Sequence, residues 1–451
     1  MNKSYKEVYS MLPEGLQEFV YKIFRRNEIK SLKKCISLIE NDINDEEYEK
    51  NLLLGILKYS YNNSKYYHNM FENKQIDINN LKIEDIQKLD LLDKEKIKDN
   101  FDTIKVEKFK SLKKQEMRTG GTTGVPLHFY RSIEQGVIDK VCMRKLYKKM
   151  GYKKGDLILT FNGSKVSEDK VKKGIYYSRK GSNIPYGSIY ISSLYLTRNN
   201  TMEFIRQIED IKPDILRGYP SFIYDISKYI LDNNIKLSLK IKGIKLTSEV
   251  VTENQIDVIE RAWNTKIHFQ YGHSEACIYA EANRDGKYYC NPYYGYVEVL
   301  DSNGKQVQEG EVGEVVVTSY HNKVMPFIRY RTNDYAEYGG KENGYVVLNK
   351  LYGRAQDSLF DMNGNKLSIM TALLTHRLDA FDNISSWKIE QKEQGNIVMS
   401  IIKGKKYSKY DEEEIRNHFK NICNINTIFS YVTDIKREAN GKFRLIDQHL
   451  R

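Results

Sequence analysis

Between residues 156 and 275 two kinds of hydrophobic pattern alternate, and this constrains the fold more than any other feature of the chain. Short apolar runs bounded by glycine, DLILTF at 156–161, IKGIKLTSE at 241–249 and KIHFQYGHSE at 266–275, have the length of buried strands. Between them lie amphipathic stretches, TMEFIRQIEDI at 201–211, FIYDISKYILDNN at 222–234 and VTENQIDVIERAW at 251–263. Strand and helix in alternation predict an α/β architecture with a substantially parallel sheet, because parallel strands need a crossover long enough to hold a helix.

The flanks read differently. From Met1 to about Lys114 helical spacing dominates, as in Leu32, Cys35, Ile36 and Ile39 or Leu52, Leu53, Ile56 and Leu57. From Tyr293 to about Val347 the pattern is antiparallel: GYVEVLDSNGKQV, GEVVVTSYH and NGYVVLNK, with Asp-Ser-Asn-Gly and Asn-Gly as turns. A meander or small barrel is expected there. The last hundred or so residues restart at a turn, Asp361-Met-Asn-Gly. They carry two helix-like segments, SIMTALLTHRLDAF and DEEEIRNHFKNI, and two strand-like ones, SSWKIEQ and NIVMSIIKG. The expected class is α/β: a large N-terminal α/β domain with parallel sheets plus a small antiparallel barrel-like part, then a small C-terminal α+β domain. The boundaries fall at 1–115 for the helical region, 116–355 for the core and 356–451 for the C-terminal unit.

Composition limits the partners. Lys and Arg number 72 against 60 Asp and Glu, a surplus of twelve that calls for an anionic partner. The run Arg144 to Lys154 interleaves lysine with tyrosine, yet no nucleic-acid module accompanies it, so a solvated helix end is the better reading and no specific nucleic acid is expected. Five scattered cysteines without CxxC spacing argue against a disulfide framework and for a reducing, cytoplasmic setting. The opening segment does not read as a secretory leader, and no apolar stretch reaches the roughly 18 residues of a membrane span. Oligomeric state is not legible.

The densest chemical signal is Arg118-Thr119-Gly120-Gly121-Thr122-Thr123-Gly124-Val125-Pro126. Three glycines let backbone amides turn inward together while three threonine hydroxyls add donors, which suits a polyphosphate. It is neither the P-loop nor the dinucleotide fingerprint. Downstream come Tyr271-Gly272-His273-Ser274-Glu275, Arg329-Tyr330-Arg331-Thr332-Asn333-Asp334, Gly353-Arg354-Ala355-Gln356-Asp357 and Asn440-Gly441-Lys442-Phe443-Arg444. In that order they resemble the motifs of the adenylate-forming superfamily. Within it the chain is most similar to the phenylacetate-CoA ligase group and its capsular-polysaccharide-associated, CapK-like branch, through the Gly/Thr loop, Leu216-Arg217-Gly218-Tyr219-Pro220-Ser221, Thr247-Ser248-Glu249 and the His of Tyr-Gly-His-Ser-Glu. Leu127 stands where many members have Lys, and Asn333 replaces the usual Gly, which puts the turn before Asp334 in question.

The resemblance implies an ATP-dependent ligase that joins a carboxylate to AMP, releases pyrophosphate and passes the acyl group to CoA or another thiol or amine; the capsule-associated branch adds an amino sugar or other amine as the alternative acceptor, and the sequence does not choose between them. It implies that Thr119, Gly120, Gly121, Thr122, Thr123 and Gly124 wrap the phosphates, and that Glu275 holds Mg²⁺. Tyr271, Gly272, His273 and Ser274 line the adenosine, and Asp334 and Arg354 hold the ribose or phosphate. Lys442 bridges the carboxylate and the α-phosphate, and Asp357 is the hinge of a mobile C-terminal domain. Tyr219, Ser248 and Glu249 are candidates for the acyl pocket. His273 reads either as a ligand contact or as a core histidine, and His273, Cys277 and Cys290 form a second, zinc reading whose spacing fits no standard finger.

Overall fold

The computed structural model describes residues 12, 14–118, 127–179, 189–247, 251, 253–282, 286–354, 358–368, 378–404, 406–435 and 446–450. The chain divides into two compact units, one of residues 1–17, 152–267 and 352–451, the other of residues 18–151 and 268–351.

The first unit contains the parallel sheet. Strands Ile189–Ser192, Ile158–Asn162, Ile215–Gly218 and Gly243–Leu246 are hydrogen-bonded in that order, all parallel, with Tyr177–Arg179 antiparallel at one edge. The helices Thr201–Ile211, Pro220–Asp232 and Glu253–Trp263 are the amphipathic stretches of the sequence. Pro220 sits where a helix tolerates a missing N–H, at its first position, and Lys212 ends the preceding helix in a left-handed conformation at φ +51°. The buried Trp263 indole donates to the Ser227 hydroxyl at 2.8 Å, tying two of these helices together.

The C-terminal part of this unit is a four-stranded sheet in the order Asn426–Tyr431, Asn396–Lys403, Ile384–Glu393, Ile446–Gln448, with helix Lys409–Asn421 packed on it through Ile415 and Phe419. Ser408 and Asp411 form a capping box at the helix start. The expected turn at Asp361 is a hairpin in which its Oδ1 accepts from the backbone amides of Asn363 and Asn365, both at 2.8 Å. Most of the helix-like segment 368–381 lies outside the described residues.

The second unit pairs the N-terminal helices with an antiparallel sheet. Its strands run in the order Gly295–Leu300, Val312–Ser319, Tyr330–Glu342, Tyr345–Arg354, Tyr288–Cys290, Tyr279–Ala282. Among the described residues it is an open sheet whose first four strands form the expected meander, while Tyr345–Arg354 pairs back onto Tyr288–Cys290, and the alternative of a small barrel is corrected. One face has no need to roll onto itself: Val299, Val315, Val317 and Phe327 bury their side chains in one cluster with Leu53, Ile56, Leu57 and Phe71 of helices Glu46–Asn63 and Lys65–Asn73. Strands Lys114–Arg118 and His128–Ser132 form an antiparallel hairpin flanking the Gly/Thr loop, itself outside the described residues. Ser132 donates through its hydroxyl to the His321 carbonyl and through its amide to Asn322 Oδ1 at 3.0 Å, which anchors the base of that hairpin.

The five cysteines are free and buried. No helix among the described residues is long and apolar enough to cross a membrane.

His321 is buried, and its Nε2 lies 2.8 Å from the Tyr293 carbonyl. A carbonyl only accepts, so that nitrogen carries the proton of a neutral ring. Burial pushes its pKa down to about 4. The unfolded chain binds this proton from roughly pH 6.5. His321 therefore contributes stability in full above that pH and loses it as the pH falls toward 4, in total on the order of 3 kcal/mol. Chemical denaturation at pH 7 and pH 4.5 should show a larger acid loss in the native protein than in His321→Gln; equal losses would place the titration elsewhere.

Candidate functional site

The residues with the strongest chemical character in the second unit lie on two segments, the end of strand Ile267–Gly272 and the strand Tyr330–Glu342. Tyr271 and Gly272 close the first strand, and the chain then turns: the Ala276 amide donates to the His273 carbonyl at 3.1 Å, with Ala276 at φ +55°. Position 272 has no room for a side chain. A Cβ built there would lie 2.6 Å from the Gln270 amide nitrogen and 3.0 Å from the Ile278 carbonyl oxygen. The turn leaves Ser274 exposed and directs Glu275 inward, where it is 5% exposed.

Glu275 is held from two sides. The Tyr330 hydroxyl donates to Oε1 at 2.6 Å, and Nδ1 of His273 lies 3.3 Å from Oε2. The latter contact is electrostatic rather than an aligned hydrogen bond, since neither ring nitrogen of His273 has a hydrogen-bond partner among the described residues. Burial by itself pushes the Glu275 carboxyl up; a positive charge on His273 and the hydrogen bonds outweigh it and hold the group at about 2. The group is thus an ionised carboxylate in a nearly dry position. Beside it, the Tyr271 hydroxyl donates to Asp334 Oδ2 at 2.8 Å. Burial, followed by the adjacent Asp334 charge, raises the Tyr271 phenol well above its ordinary value, so it remains a donor at all working pH.

The second segment is fixed by a buried ion pair. Arg329 Nε and Nη2 donate to the two Glu298 oxygens at 3.2 and 3.0 Å, and Nη1 donates to the carbonyls of Gln87 and Leu89 at 3.0 and 2.9 Å. Its backbone is left-handed at φ +49°, a strained position for a long side chain, and both main-chain groups are pinned: N–H to Thr318 Oγ1 and C=O to the Leu92 amide, each at 2.9 Å. Asn333 resolves the question its sequence raised. It adopts φ +60°, a conformation Asn tolerates better than other side-chain-bearing residues, and its amide donates to Glu314 Oε1 at 3.2 Å. The turn that glycine usually makes is kept, and Asp334 follows with its amide on Thr332 Oγ1 at 3.0 Å.

Of the site residues expected from the sequence, Tyr271, Gly272, His273, Ser274, Glu275 and Asp334 are thus carried on these two segments. Arg354 ends strand Tyr345–Arg354, with its side chain not described. Tyr219 caps helix Pro220–Asp232 in the other unit. Thr119, Gly120, Gly121, Thr122, Thr123, Gly124, Ser248, Glu249, Asp357 and Lys442 lie outside the described residues. Tyr330 carried no assigned role; its signal was its place beside Arg329 in the motif, and contact with Glu275 gives it one.

The zinc reading gains nothing. His273, Cys277 and Cys290 do not converge among the described residues, and burial pushes both thiols up, away from the thiolate a zinc ligand must be. Glu390, Asp447 and His449 do cluster in the C-terminal sheet, but Lys392 and Lys388 already pair with the two carboxylates at 3.1 and 2.9 Å.

With this geometry in view, the chain can be set beside known proteins. Residues 362–449 match the model of the CapK C-terminal domain. Protein CapK of Staphylococcus aureus is 26% identical over 428 residues, 92% of this chain and 90% of that protein. Phenylacetate-coenzyme A ligase of Pseudomonas putida is 24% identical over 323 residues, 67% and 69% of the two. Over most of its length the chain is thus similar to CapK and, over about two thirds, to the phenylacetate-CoA ligases. In fold the chain matches 2-hydroxyisobutyryl-CoA ligase in the postadenylation state in complex with 2-HIB-AMP, with TM-score 0.67, 15% identity and 89% of each chain covered. An acyl acid amido synthetase in complex with 2,4-DB matches at TM-score 0.57 and 16% identity over 89% of each chain. The fold is that of the adenylate-forming ligases, and the expected mixed α/β class with a small C-terminal α/β sheet holds.

Removing Arg329 while Glu298 stays leaves an uncompensated buried charge, which costs about 3–5 kcal/mol. Arg329→Met should therefore lower the denaturation midpoint strongly, whereas the pair Arg329→Met with Glu298→Leu should recover much of the loss. A double variant no better than the single one would show that the contacts to Gln87 and Leu89, not the charge pair, hold this strand.

Proposed function

We propose that this CapK-like chain activates a carboxylate with ATP, forming an acyl-AMP with release of pyrophosphate, and passes the acyl group to CoA or to another thiol or amine. The observation that carries the reading is the presence of two carboxylates with opposed tasks, the buried Glu275 beside His273 and Tyr330, and the half-buried Asp334 beside Tyr271.

A carboxylate is a poor electrophile: its charge repels nucleophiles, and oxide is a very poor leaving group. Attack of its oxygen on the α-phosphorus forms a P–O bond and breaks the bond to pyrophosphate, which leaves AMP as a good leaving group for the second step. The acceptor then adds to the acyl carbon and AMP departs. Glu275 offers one ionised carboxylate in a dry setting, which suits Mg²⁺, an ion that takes one or two protein carboxylates and completes its shell with substrate phosphates and water. When bound there, Mg²⁺ supplies positive charge to the triphosphate.

The chain's own residues do the rest. Asp334 accepts from the ribose hydroxyls, its position set by the Tyr271 hydroxyl and by the left-handed turn at Asn333. His273, its ring nitrogens buried beside Glu275 without hydrogen-bond partners among the described residues, contacts the nucleotide or the acyl group. Thr119 to Gly124 contribute amide and hydroxyl donors to the β- and γ-phosphates. Lys442 places an ammonium where the entering carboxylate meets the α-phosphate, and Arg354 adds a second contact to the sugar or phosphate. Asp357 serves as the hinge that exchanges the face bearing Lys442 for another in the second step. An amine acceptor, as in the attachment of a carboxylate to an amino sugar of a surface polysaccharide, is the second form of the same reaction. Pyrophosphate exchange across a panel of carboxylates, followed by mass spectrometry with CoA or amines added, distinguishes the two.

Two results test the assignments. Lys442→Ala should cut carboxylate-dependent pyrophosphate exchange by roughly 10²–10³ yet consume supplied acyl-AMP at near the native rate; equal loss in both half-reactions counts against its role. Tyr330→Phe takes a donor from Glu275, so the carboxyl titrates higher and the acid limb of the exchange profile moves to higher pH. An unmoved limb would separate Glu275 from that titration.

A further inference from the structure

Residues 14–40 form an almost unbroken helical run. Helices Glu14–Phe24, Arg26–Ser31 and Lys33–Glu40 are joined by i to i−4 hydrogen bonds from Arg25 to Tyr21, Ile29 to Arg25, Leu32 to Glu28 and Ile36 to Leu32, at 2.9 to 3.1 Å. Its inner face is committed. Leu32, Cys35, Leu38 and Ile39 are buried with Val137, Val141 and Cys142 of helix Ile133–Lys149, and Lys140 of that helix lies 3.8 Å over the Tyr21 ring.

The outer face is unusual. Of the eleven large apolar side chains exposed among the described residues, four fall between residues 16 and 24. Phe19 is 60% exposed, Ile23 55% and Phe24 72%, with Leu16 one turn earlier on the same helix. Positions 16, 19, 23, 26, 30, 33 and 37 follow the three-four spacing of one helix stripe, and all are exposed. The apolar residues occupy its first part, and Arg26, Lys30 and Lys33 occupy the second. Lys22 and Lys34 beside the stripe pair with Glu18 and Asp45 at 3.2 and 2.8 Å. Arg26, Lys30 and Lys33 form no ion pair among the described residues, so their charge faces outward unopposed.

We infer that this stripe docks the protein on an anionic lipid surface, with Phe19, Ile23 and Phe24 entering the boundary between headgroups and acyl chains and Arg26, Lys30 and Lys33 resting on the headgroup phosphates. The combination of aromatic and aliphatic insertion with adjacent unpaired cations is what a helix lying in a membrane interface requires. From Phe19 to Lys33 the stripe covers about 21 Å of chain at a rise of roughly 1.5 Å per residue, short enough for both parts to reach one surface across the breaks at Arg25 and Leu32. A protein partner would fit the apolar part, but it needs an acidic neighbour at a matching distance; a lipid leaflet supplies apolar depth and negative charge together. The chain's surplus of twelve positive charges acts in the same direction.

The test is cosedimentation of the full chain with vesicles at physiological salt. Vesicles of phosphatidylcholine with about 30 mol % phosphatidylglycerol should bind it, and vesicles of phosphatidylcholine alone should bind it at least tenfold less. Both Phe19→Ser with Ile23→Ser and Lys30→Glu with Lys33→Glu should lower the partition coefficient at least tenfold while circular dichroism and thermal midpoint stay native, since these side chains face solvent. Absence of binding to the anionic vesicles overturns the inference, as does binding that neither double variant reduces. Sedimentation velocity adds a third arm: a dimer of the native chain that Phe19→Ser with Ile23→Ser dissolves, without vesicle binding, would assign the face to a second copy instead.

Discussion

The buried pair between Arg329 and Glu298 is the constraint on which the candidate site depends. A guanidinium in an interior of low dielectric is tolerated only when its donors are spoken for, and here the two carboxylate oxygens, two backbone carbonyls from the Gln87 to Leu89 segment and, at 3.4 Å, the Gly304 carbonyl take them. This fixes a backbone position that is itself strained at φ +49°. Tyr330 follows immediately and Asp334 four residues later, so the strain and the ion pair determine where the strand begins and which of its side chains face Glu275 and Tyr271. A hydrophobic pair of similar volume would fill the space more cheaply. It would not fix direction, because apolar contacts do not specify which atoms must meet.

The same logic explains why the site carries so few charges for a chain with such a large positive surplus. Glu275 is kept ionised by one imidazole and one phenol, and Asp334 is oriented by another phenol. Both phenols are buried, and burial keeps that of Tyr271 protonated. A phenol donates to a carboxylate without cancelling its charge, which preserves its attraction for a cation or its capacity to accept from sugar hydroxyls. A lysine or arginine in either place would satisfy the carboxylate fully and leave it inert. Most of the chain's excess cations therefore have no part in these described contacts, and those on the N-terminal helical run form a distinct surface.

Much of this was legible in the sequence. Helix Thr201–Ile211 coincides with its amphipathic stretch residue for residue, because a 3.6-residue period is hard to mistake over three turns. The parallel strands were visible as short apolar runs, and the turns at Asp301 and Asp361 as Asx-type signals. The strand Tyr330–Glu342 was not visible. Its text, YRTNDYAEYGGKE, reaches the core through Tyr330 and Ala336 but has polar residues between them, because Arg331 and Asn333 bind Glu314 and Asp334 serves the site. Likewise, the meander was open to a barrel reading, since alternation reports only that one face is buried. What buries it, here the helices bearing Leu53, Ile56 and Phe71, is a tertiary fact.

The site shows the same division between composition and context. Glu275, Asp334 and Tyr271 could be named from ordered motifs, but the motifs are silent on how these groups reach one another. Tyr330 stood in full view between Arg329 and Arg331 without a function, because a tyrosine flanked by arginines has no chemical signature until its hydroxyl is seen against a carboxylate. Asn333 illustrates the converse. Read as a departure from glycine it suggested a changed turn, yet the conformational demand was only for a positive φ, which Asn meets at +60°. The physical requirement at that position is a backbone angle, and a sequence comparison that counts residue identities records a difference where the chain has kept the geometry.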